Sequence, residues 1–242
     1  MPQQKVERAR RVYNKWVSNQ KIEDFSLRFT AKKIRKWSPY LVANTALGSI
    51  SFLALESIGA SITLQYGYIN AITAIIMVCF LIFITSVPIS YYSAKHGVDI
   101  DLLSRGAGFG YIGSTITSLI YASFTFIFFA IEAAIMAIAL ELFFSVPLVA
   151  GYLFSSIIII PMAIYGFTFI SRFQLWTQPI WIVLHILPFA FIAVQHPEFF
   201  TEWTEFTGQD EGPNGGFNIL LFGAASAVLF SLTAQIGEQV DY

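Results

Sequence analysis

The chain has 242 residues, of which 56% are hydrophobic, 17% aromatic and 12% charged, with a formal net charge of −1. A soluble domain carries roughly 25% charged residues. The composition therefore excludes an ordinary soluble protein, which would lack the polar side chains needed to cover its surface.

Long uncharged stretches predict membrane spans, because about 20 apolar residues cross the hydrocarbon core of a bilayer. The pattern predicts an all-α integral membrane protein in which a basic segment, residues 1–40, precedes a transmembrane domain, residues 41–242. Six spans are expected, at approximately 41–65, 69–92, 112–141, 147–165, 173–195 and 217–237.

The basic residues predict the topology. Of the 14 Lys and Arg, 11 lie in residues 1–36, and the others are Lys95, Arg105 and Arg172. With the N-terminus in the cytoplasm, all of them fall on the cytoplasmic side, as the positive-inside rule requires. The segment 196–216, on the opposite side, has five carboxylates and no Lys or Arg. We therefore expect a multi-pass protein of the cell inner (plasma) membrane with both ends of this segment in the cytoplasm.

The first span contains an acidic residue, Glu56, among many Gly and Ser residues. An ionisable group inside a membrane usually faces a cavity or a partner. The Gly and Ser content indicates either a discontinuous helix, whose freed backbone groups bind an ion or substrate, or close helix packing. We predict an interruption within residues 47–56, and the carbonyls of Phe52 and Leu55 are candidate Na⁺ ligands.

Residues 108–113 read GFGYIG, the spacing of a dinucleotide-binding turn. That motif requires a strand before it and a soluble helix after it, whereas here an apolar span follows. We interpret the glycines as a device for a tight cytoplasmic turn and for close packing of the next helix.

The third span carries Glu132, and Phe128 and Thr125 lie on the same helical face. An aromatic ring beside hydrogen-bonding groups suits a flat polar ligand, although aromatic residues at this spacing are also common in cores. Thr125, Phe128, Glu132 and Glu56 are therefore the candidate substrate-binding residues. His185, in the fifth span, has no acidic neighbour in sequence and is interpreted as a packing residue.

The sequence contains no metal-binding spacing of Cys and His, no nucleophile elbow and no phosphate-binding loop. It predicts neither an enzyme nor an organic cofactor, and no nucleic-acid partner. The expected partners are the lipid bilayer and a small solute.

Three stretches resemble the nucleobase:cation symporter-1 family, the purine–cytosine permeases and hydantoin transporters. They are AKHGVDIDLLSRGAGFGYIGS at 94–114, YNKWVSNQKIEDFSLRFTAKKIRKWSPYLVANTALG at 13–48 and GEQVDY at 237–242. The resemblance implies a leucine-transporter-type fold, with two inverted repeats of five helices and with helices 1 and 6 broken at the substrate site. The chain would contain the first repeat plus helix 6, and would be incomplete at its C-terminus.

The resemblance also implies site residues. The family's third helix carries W-F-G-x-Q, whose Trp stacks on the nucleobase and whose Gln binds it. Phe128 takes the Trp place here and Glu132 the Gln place, and Glu56 matches a Gln near the break in helix 1. Two carboxylates in place of amides favour a cationic or protonatable ligand, or proton coupling.

The expected function is secondary active transport of a small polar solute, nucleobase-like or a related nitrogen compound, coupled to Na⁺ or H⁺. The alternative is a membrane sensory input module of a hybrid histidine kinase, with kinase domains following in the full-length chain. A purely structural membrane subunit would leave Glu56 and Glu132 unexplained.

Overall fold

The computed structural model describes residues 30, 32, 35, 37–209 and 216–240, without the side chains of Glu238 and Gln239. Residues 1–29, which hold most of the basic segment, lie outside the described residues, and so do Asp210, Glu211 and the last two residues. Every regular element in the described ranges is helical. Three of the helices are long and apolar enough to cross a membrane, or four if one bent pair counts as a single span. The chain is therefore a helical, membrane-embedded protein.

Nine α-helices follow one another along the described chain, with a π-helical turn at Arg105–Phe109 before α5 and a 3-10 turn at Ser231–Gln235 after α8. The helices are α1 (Pro39–Ser49), α2 (Leu53–Tyr66), α3 (Tyr68–His96), α4 (Ile100–Ser104), α5 (Gly110–Phe144), α6 (Leu148–Gln195), α7 (Glu198–Glu205), α8 (Ile219–Phe230) and α9 (Ile236–Val240).

The first predicted span is broken, as expected. Its first half, α1, begins with Pro39 and is capped by the Ser38 hydroxyl, which accepts a hydrogen bond from Leu41 N at 3.2 Å. The second half, α2, bends away by 52° after a break at residues 50–52. The predicted interruption within residues 47–56 is confirmed.

The fourth and fifth predicted spans both lie in α6. The predicted loop at 166–172 is wrong, because residues 167–172 are helical and the non-helical backbone is at Gly166, with φ 69° and ψ −164°. Such a positive φ suits glycine. Two helical parts, residues 148–165 and 167–195, are therefore joined across a kink.

The glycine run has the role of a turn. Gly108 and Gly110 have φ values of 113° and 65°, a conformation that other residues rarely adopt. The run joins α4 to α5 through the π-helical turn, with no strand before it in the described chain. The predicted close packing is not found at these two positions, since a Cβ there would meet nothing within 4 Å.

Small apolar residues bring α3 and α8 together. Ala71, Ala74 and Val78 of α3 pack with Ala225 and Leu229 of α8, all nearly fully buried. Close approach of backbones over small residues is the usual basis of helix association in lipid.

A buried amide orients the start of α8. Asn70 donates to the carbonyl of Tyr66 at 2.9 Å and accepts from Asn218 N at 2.8 Å. A second contact joins the start of α3 to the end of α7, where Tyr68 N donates to the Phe206 carbonyl at 2.9 Å. The predicted loop 196–216 therefore includes an unpredicted helix, α7, and its end is fastened to the turn between α2 and α3.

The two ends of the described chain meet at the C-terminal end of α3. Thr30 N donates to the carbonyl of Gly97 at 2.7 Å, and the Arg35 guanidinium donates to the carbonyl of Ala94. From the other end of the chain, the carbonyl of Val240 accepts from the Ser93 hydroxyl at 3.2 Å.

Candidate ligand site at the broken first segment

Serine side chains close the end of α1. Ser49 Oγ donates to the Ala46 carbonyl at 2.9 Å, and Ser51 Oγ donates to the Leu47 carbonyl at 2.7 Å. These carbonyls have no partner further along a helix that stops at Ser49. The Ser residues at the break therefore satisfy backbone groups that the break exposes.

The start of α2 is closed from a different helix. Its N-cap residue, Phe52, makes no side-chain cap hydrogen bond. Instead, Glu132 Oε1 of α5 accepts from Ala54 N at 2.6 Å. A carboxylate at a helix N-terminus satisfies an unpaired N–H and interacts favourably with the helix dipole. Glu132 is thus a capping group supplied by a neighbouring helix.

Aromatic rings surround this contact. The rings of Phe52 and Phe128 meet edge to face with centroids 5.5 Å apart, and Phe124 lies 4.5 Å from Phe128. Phe128 and Glu132 therefore both face the first segment. Thr125 is exposed, and its hydroxyl donates to the carbonyl of Tyr121 in its own helix at 3.0 Å.

The second part of α6 borders the break on another side through polar contacts. The hydroxyls of Thr45 and Ser171 share a hydrogen bond of 2.8 Å, with both residues 1% exposed. Gln178 Nε2 donates to Ser51 Oγ at 2.9 Å. Between them, Gln174 packs on Gly48, where a Cβ would lie 2.3 Å from the Gln174 Cδ atom.

Glu56 and His185 form a third polar contact between the first segment and the second part of α6. The distance from His185 Nδ1 to Glu56 Oε1 is 3.2 Å, and the ring of Trp181 stacks on the imidazole at a centroid distance of 4.6 Å. The interpretation of His185 as a packing residue is incomplete, because the fold supplies the acidic neighbour that the local sequence lacks.

An open groove of about 300 Å³ runs along another face of α2. It begins at Ala54, continues past Ser57, Ser61 and Gln65, and is closed by Ile131 of α5 and Val228 of α8. At about 100° per residue, Glu56 lies roughly opposite the groove on the helix. The structure thus brings Glu132 and Phe128 to the start of α2 but does not bring Glu56 into the groove.

The two candidate Na⁺ ligands lie close to each other in the chain. Phe52 has extended backbone in the break, with φ −143° and ψ 147°, and Leu55 lies in the first turn of α2. Their role as carbonyl ligands stays a prediction.

Sequence reasoning missed Ser51, Gln178 and His185 as members of one polar interface. One signal was available: residues 171, 174, 178 and 185 recur at helical spacing and are all polar. In a span that is otherwise apolar, such a stripe indicates a face turned towards protein.

No family model matches the chain, and comparisons with curated proteins and with solved structures return no significant match.

Proposed function

We propose that the chain forms part of a secondary active transporter for a small polar solute, with the site at the broken first segment. The observation that carries the proposal is the break itself. A groove begins at Ala54, whose N–H is held by a carboxylate from α5. A discontinuous membrane helix beside a groove is the arrangement in which transporters bind substrates and coupling ions.

The proposal includes six membrane crossings. At the start of α2, the N-cap residue Phe52 contacts Phe128 and Ala54 contacts Glu132, so that both residue numbers rise together, which supports a parallel course of α2 and α5. Thr45–Ser171, Ser51–Gln178 and Glu56–His185 give the same parallel direction for the second part of α6.

If α5 and residues 167–195 cross the membrane in the same direction, the chain between them must cross in the opposite direction. Residues 148–165 supply the return, since their 18 residues extend about 27 Å, close to the thickness of the hydrocarbon core. The meeting of the two described ends at α3 also favours an even number of crossings. These features support the leucine-transporter-type arrangement that the sequence resemblance implies.

The proposed substrate class is a nucleobase-like or related nitrogen compound that is neutral or cationic. The groove presents the Ser57 and Ser61 hydroxyls and the Gln65 amide, which suit a hydrogen-bonding solute. Glu132 Oε1 already accepts from the helix N-terminus, where an anionic ligand would otherwise be favoured. An anionic group is therefore disfavoured at that point.

The test is uptake of radiolabelled nucleobases, hydantoins and amines by the full-length protein in proteoliposomes, under an inward Na⁺ gradient and separately under an inward H⁺ gradient. We expect at least one compound to accumulate. Ser61→Trp should fill the groove and abolish accumulation, whereas Ser123→Trp, at an exposed serine of α5 outside the groove, should not.

Failure of every compound to accumulate under both gradients would contradict the proposal. Saturable binding without accumulation would instead favour the sensory input module.

A further inference from the structure

We infer that Glu56 and His185 form a proton-binding site on the side of α2 opposite the groove, and that the proton is the coupled ion. The existence of the site rests on the contact between the two side chains. Its role in coupling rests on the proposed transport function. The inference selects one of the two ions expected from the sequence and gives it a location.

The pair joins a carboxyl to an imidazole, and imidazole is the side chain that changes charge between about pH 5 and 8. With a neutral imidazole and an ionised carboxyl, the pair carries a charge of −1. Uptake of one proton from the aqueous side brings it to zero, either as imidazolium with carboxylate or as imidazole with carboxylic acid. A net charge is unfavourable in a membrane interior. One shared proton is therefore the charge-balanced state of the pair.

A sodium ion is a poorer occupant of this contact. Hard cations take oxygen ligands, whereas here an imidazole nitrogen lies 3.2 Å from Glu56 Oε1. The Trp181 ring stacks on one side of the imidazole and Phe189 lies 6.3 Å away. Aromatic rings attract a cationic imidazolium rather than supply oxygen atoms.

Few other charged groups lie on the helices packed around the pair. α1 and α8 contain no charged residue. On α5, Glu132 accepts a hydrogen bond from Ala54 N, and Glu141 lies about two and a half turns further along the helix. On α6, Arg172 lies more than three turns before His185. On α3, Lys95 and His96 lie at the C-terminal end of the helix. The remaining titratable side chains on these helices are tyrosine phenols and the Cys79 thiol.

The position of the pair gives it a mechanical consequence. Glu56 lies in the first turn of α2, directly after the break, and His185 lies on α6. A change of charge therefore alters the attraction between α6 and the half of the broken segment that lines the groove on its other face. Proton binding and solute binding would thus act on the same short helix from opposite sides.

The chain offers a matched control. His196 Nδ1 lies 3.1 Å from Glu198 Oε1, a contact of the same chemistry and distance, but the two side chains are 55% and 58% exposed and follow the end of α6. The corresponding fractions for His185 and Glu56 are 34% and 39%. Equivalent substitutions in the two pairs therefore separate the effect of location from that of residue type.

The first measurement requires no substrate. The full-length protein, with ¹⁵N-labelled histidine, is titrated in nanodiscs between about pH 5 and 8, the range in which imidazole changes charge. We expect Glu56→Gln to change the pH dependence of the His185 ¹⁵N signals, because the imidazolium loses its carboxylate partner. Glu198→Gln should shift the proton concentration at which His196 titrates by less than about fivefold, as for an exposed pair.

The second measurement uses any solute that accumulates in proteoliposomes. Glu56→Gln and His185→Gln should each remove the stimulation by an inward proton gradient. His185→Gln should preserve solute exchange without a gradient, and His196→Gln should preserve both activities. If Glu56→Gln leaves the His185 titration within about twofold of wild type, the proton site is refuted, whatever the uptake result. If titration is coupled but proton-driven uptake survives both substitutions, the coupling role is refuted. Failure of the wild type to transport any solute refutes the proposed function, and the proton site is then tested by the NMR titration alone.

Discussion

Two interfaces in this protein are built from opposite kinds of residue. α3 and α8 meet mainly through small apolar residues, Ala71, Ala74 and Ala225, and the buried Asn70 amide makes its hydrogen bond with α8 at the start of that helix. The broken first segment meets its neighbours through hydrogen-bonded side chains, among them Thr45–Ser171 and Ser51–Gln178. Apolar contacts in lipid depend on shape and close approach, whereas polar contacts depend on partners that can be exchanged.

This difference indicates which helices form a fixed unit. Overfilling a tight apolar contact leaves the helices with no alternative arrangement, while a hydroxyl or amide can change partner without loss of a hydrogen bond. We therefore expect the α3–α8 interface to stay constant during function and the polar interface to rearrange. The predictions below test this contrast from the largest expected effect to the smallest.

The largest effect is expected for Ala74→Phe. Ala74 is fully buried between α3 and α8, so a phenyl group forces the helices apart. We expect a loss of roughly 3 kcal/mol in the free energy of unfolding, measured by SDS-induced unfolding of the full-length protein in micelles.

The control is Ala130→Phe, at an exposed alanine on α5, which should change the unfolding free energy little. Equal effects of the two substitutions would mean that added volume is tolerated at the α3–α8 interface.

Glu132 should show the second-largest effect. Glu132→Ala removes the only side-chain cap described at the start of α2 and should destabilise the protein by roughly 1–2 kcal/mol. Glu132→Gln keeps an acceptor oxygen and nearly the same shape, so folding and membrane insertion should be preserved while ligand preference shifts.

Stability is measured by unfolding each variant in micelles. Ligand preference is measured by the competition of anionic and cationic solutes for uptake. Glu141→Ala, at an exposed position of the same helix, serves as the control. An unchanged stability of Glu132→Ala would show that water or another group can replace the cap.

Glycine provides a third comparison, within the first segment. At Gly48 a Cβ would collide with Gln174, whereas at Gly59 it would meet nothing within 4 Å. Gly48→Ala should therefore destabilise by about 1 kcal/mol, since the Gln174 side chain must shift. Gly59→Ala should stabilise by up to about 1 kcal/mol through helix propensity.

Both glycine variants are compared with wild type in the same unfolding assay. Stabilisation by both would indicate that Gln174 moves aside freely, in keeping with a loosely held polar interface.

The sequence alone was sufficient for features that depend on local pattern. The helical membrane class follows from long apolar stretches, and the break near Ser51 follows from Gly and Ser residues within a few turns of each other. The predicted end of the fourth span at residue 165 agrees with the kink at Gly166. The charge of Arg172 wrongly predicts a loop over residues 166–172, because residues 167–172 are helical. A helix can continue past one such charged residue when its long side chain reaches water.

The contact between Glu56 and His185 could not be predicted in the same way. It depends on the register between two parallel helices that lie far apart in the chain. Apolar helix faces carry little information about register, because lipid and protein neighbours are equally acceptable to them. The polar residues at 171, 174, 178 and 185 indicate which face of α6 contacts protein. They do not indicate which residue of the first segment each of them contacts.

The smallest predicted effect concerns a fully buried polar contact, Thr45 with Ser171. Thr45→Val and Ser171→Ala each remove one hydroxyl, and the double variant removes both. Hydrogen bonds between membrane helices are worth about 0.6 kcal/mol on average, because each group finds other partners when the contact opens; Thr45 Oγ1 already lies 2.9 Å from the Leu41 carbonyl. We expect a coupling energy of that size from a double-mutant cycle of SDS unfolding. A coupling well above about 2 kcal/mol would contradict the contrast drawn here, since an interface held so strongly would resist rearrangement as firmly as α3 and α8 do.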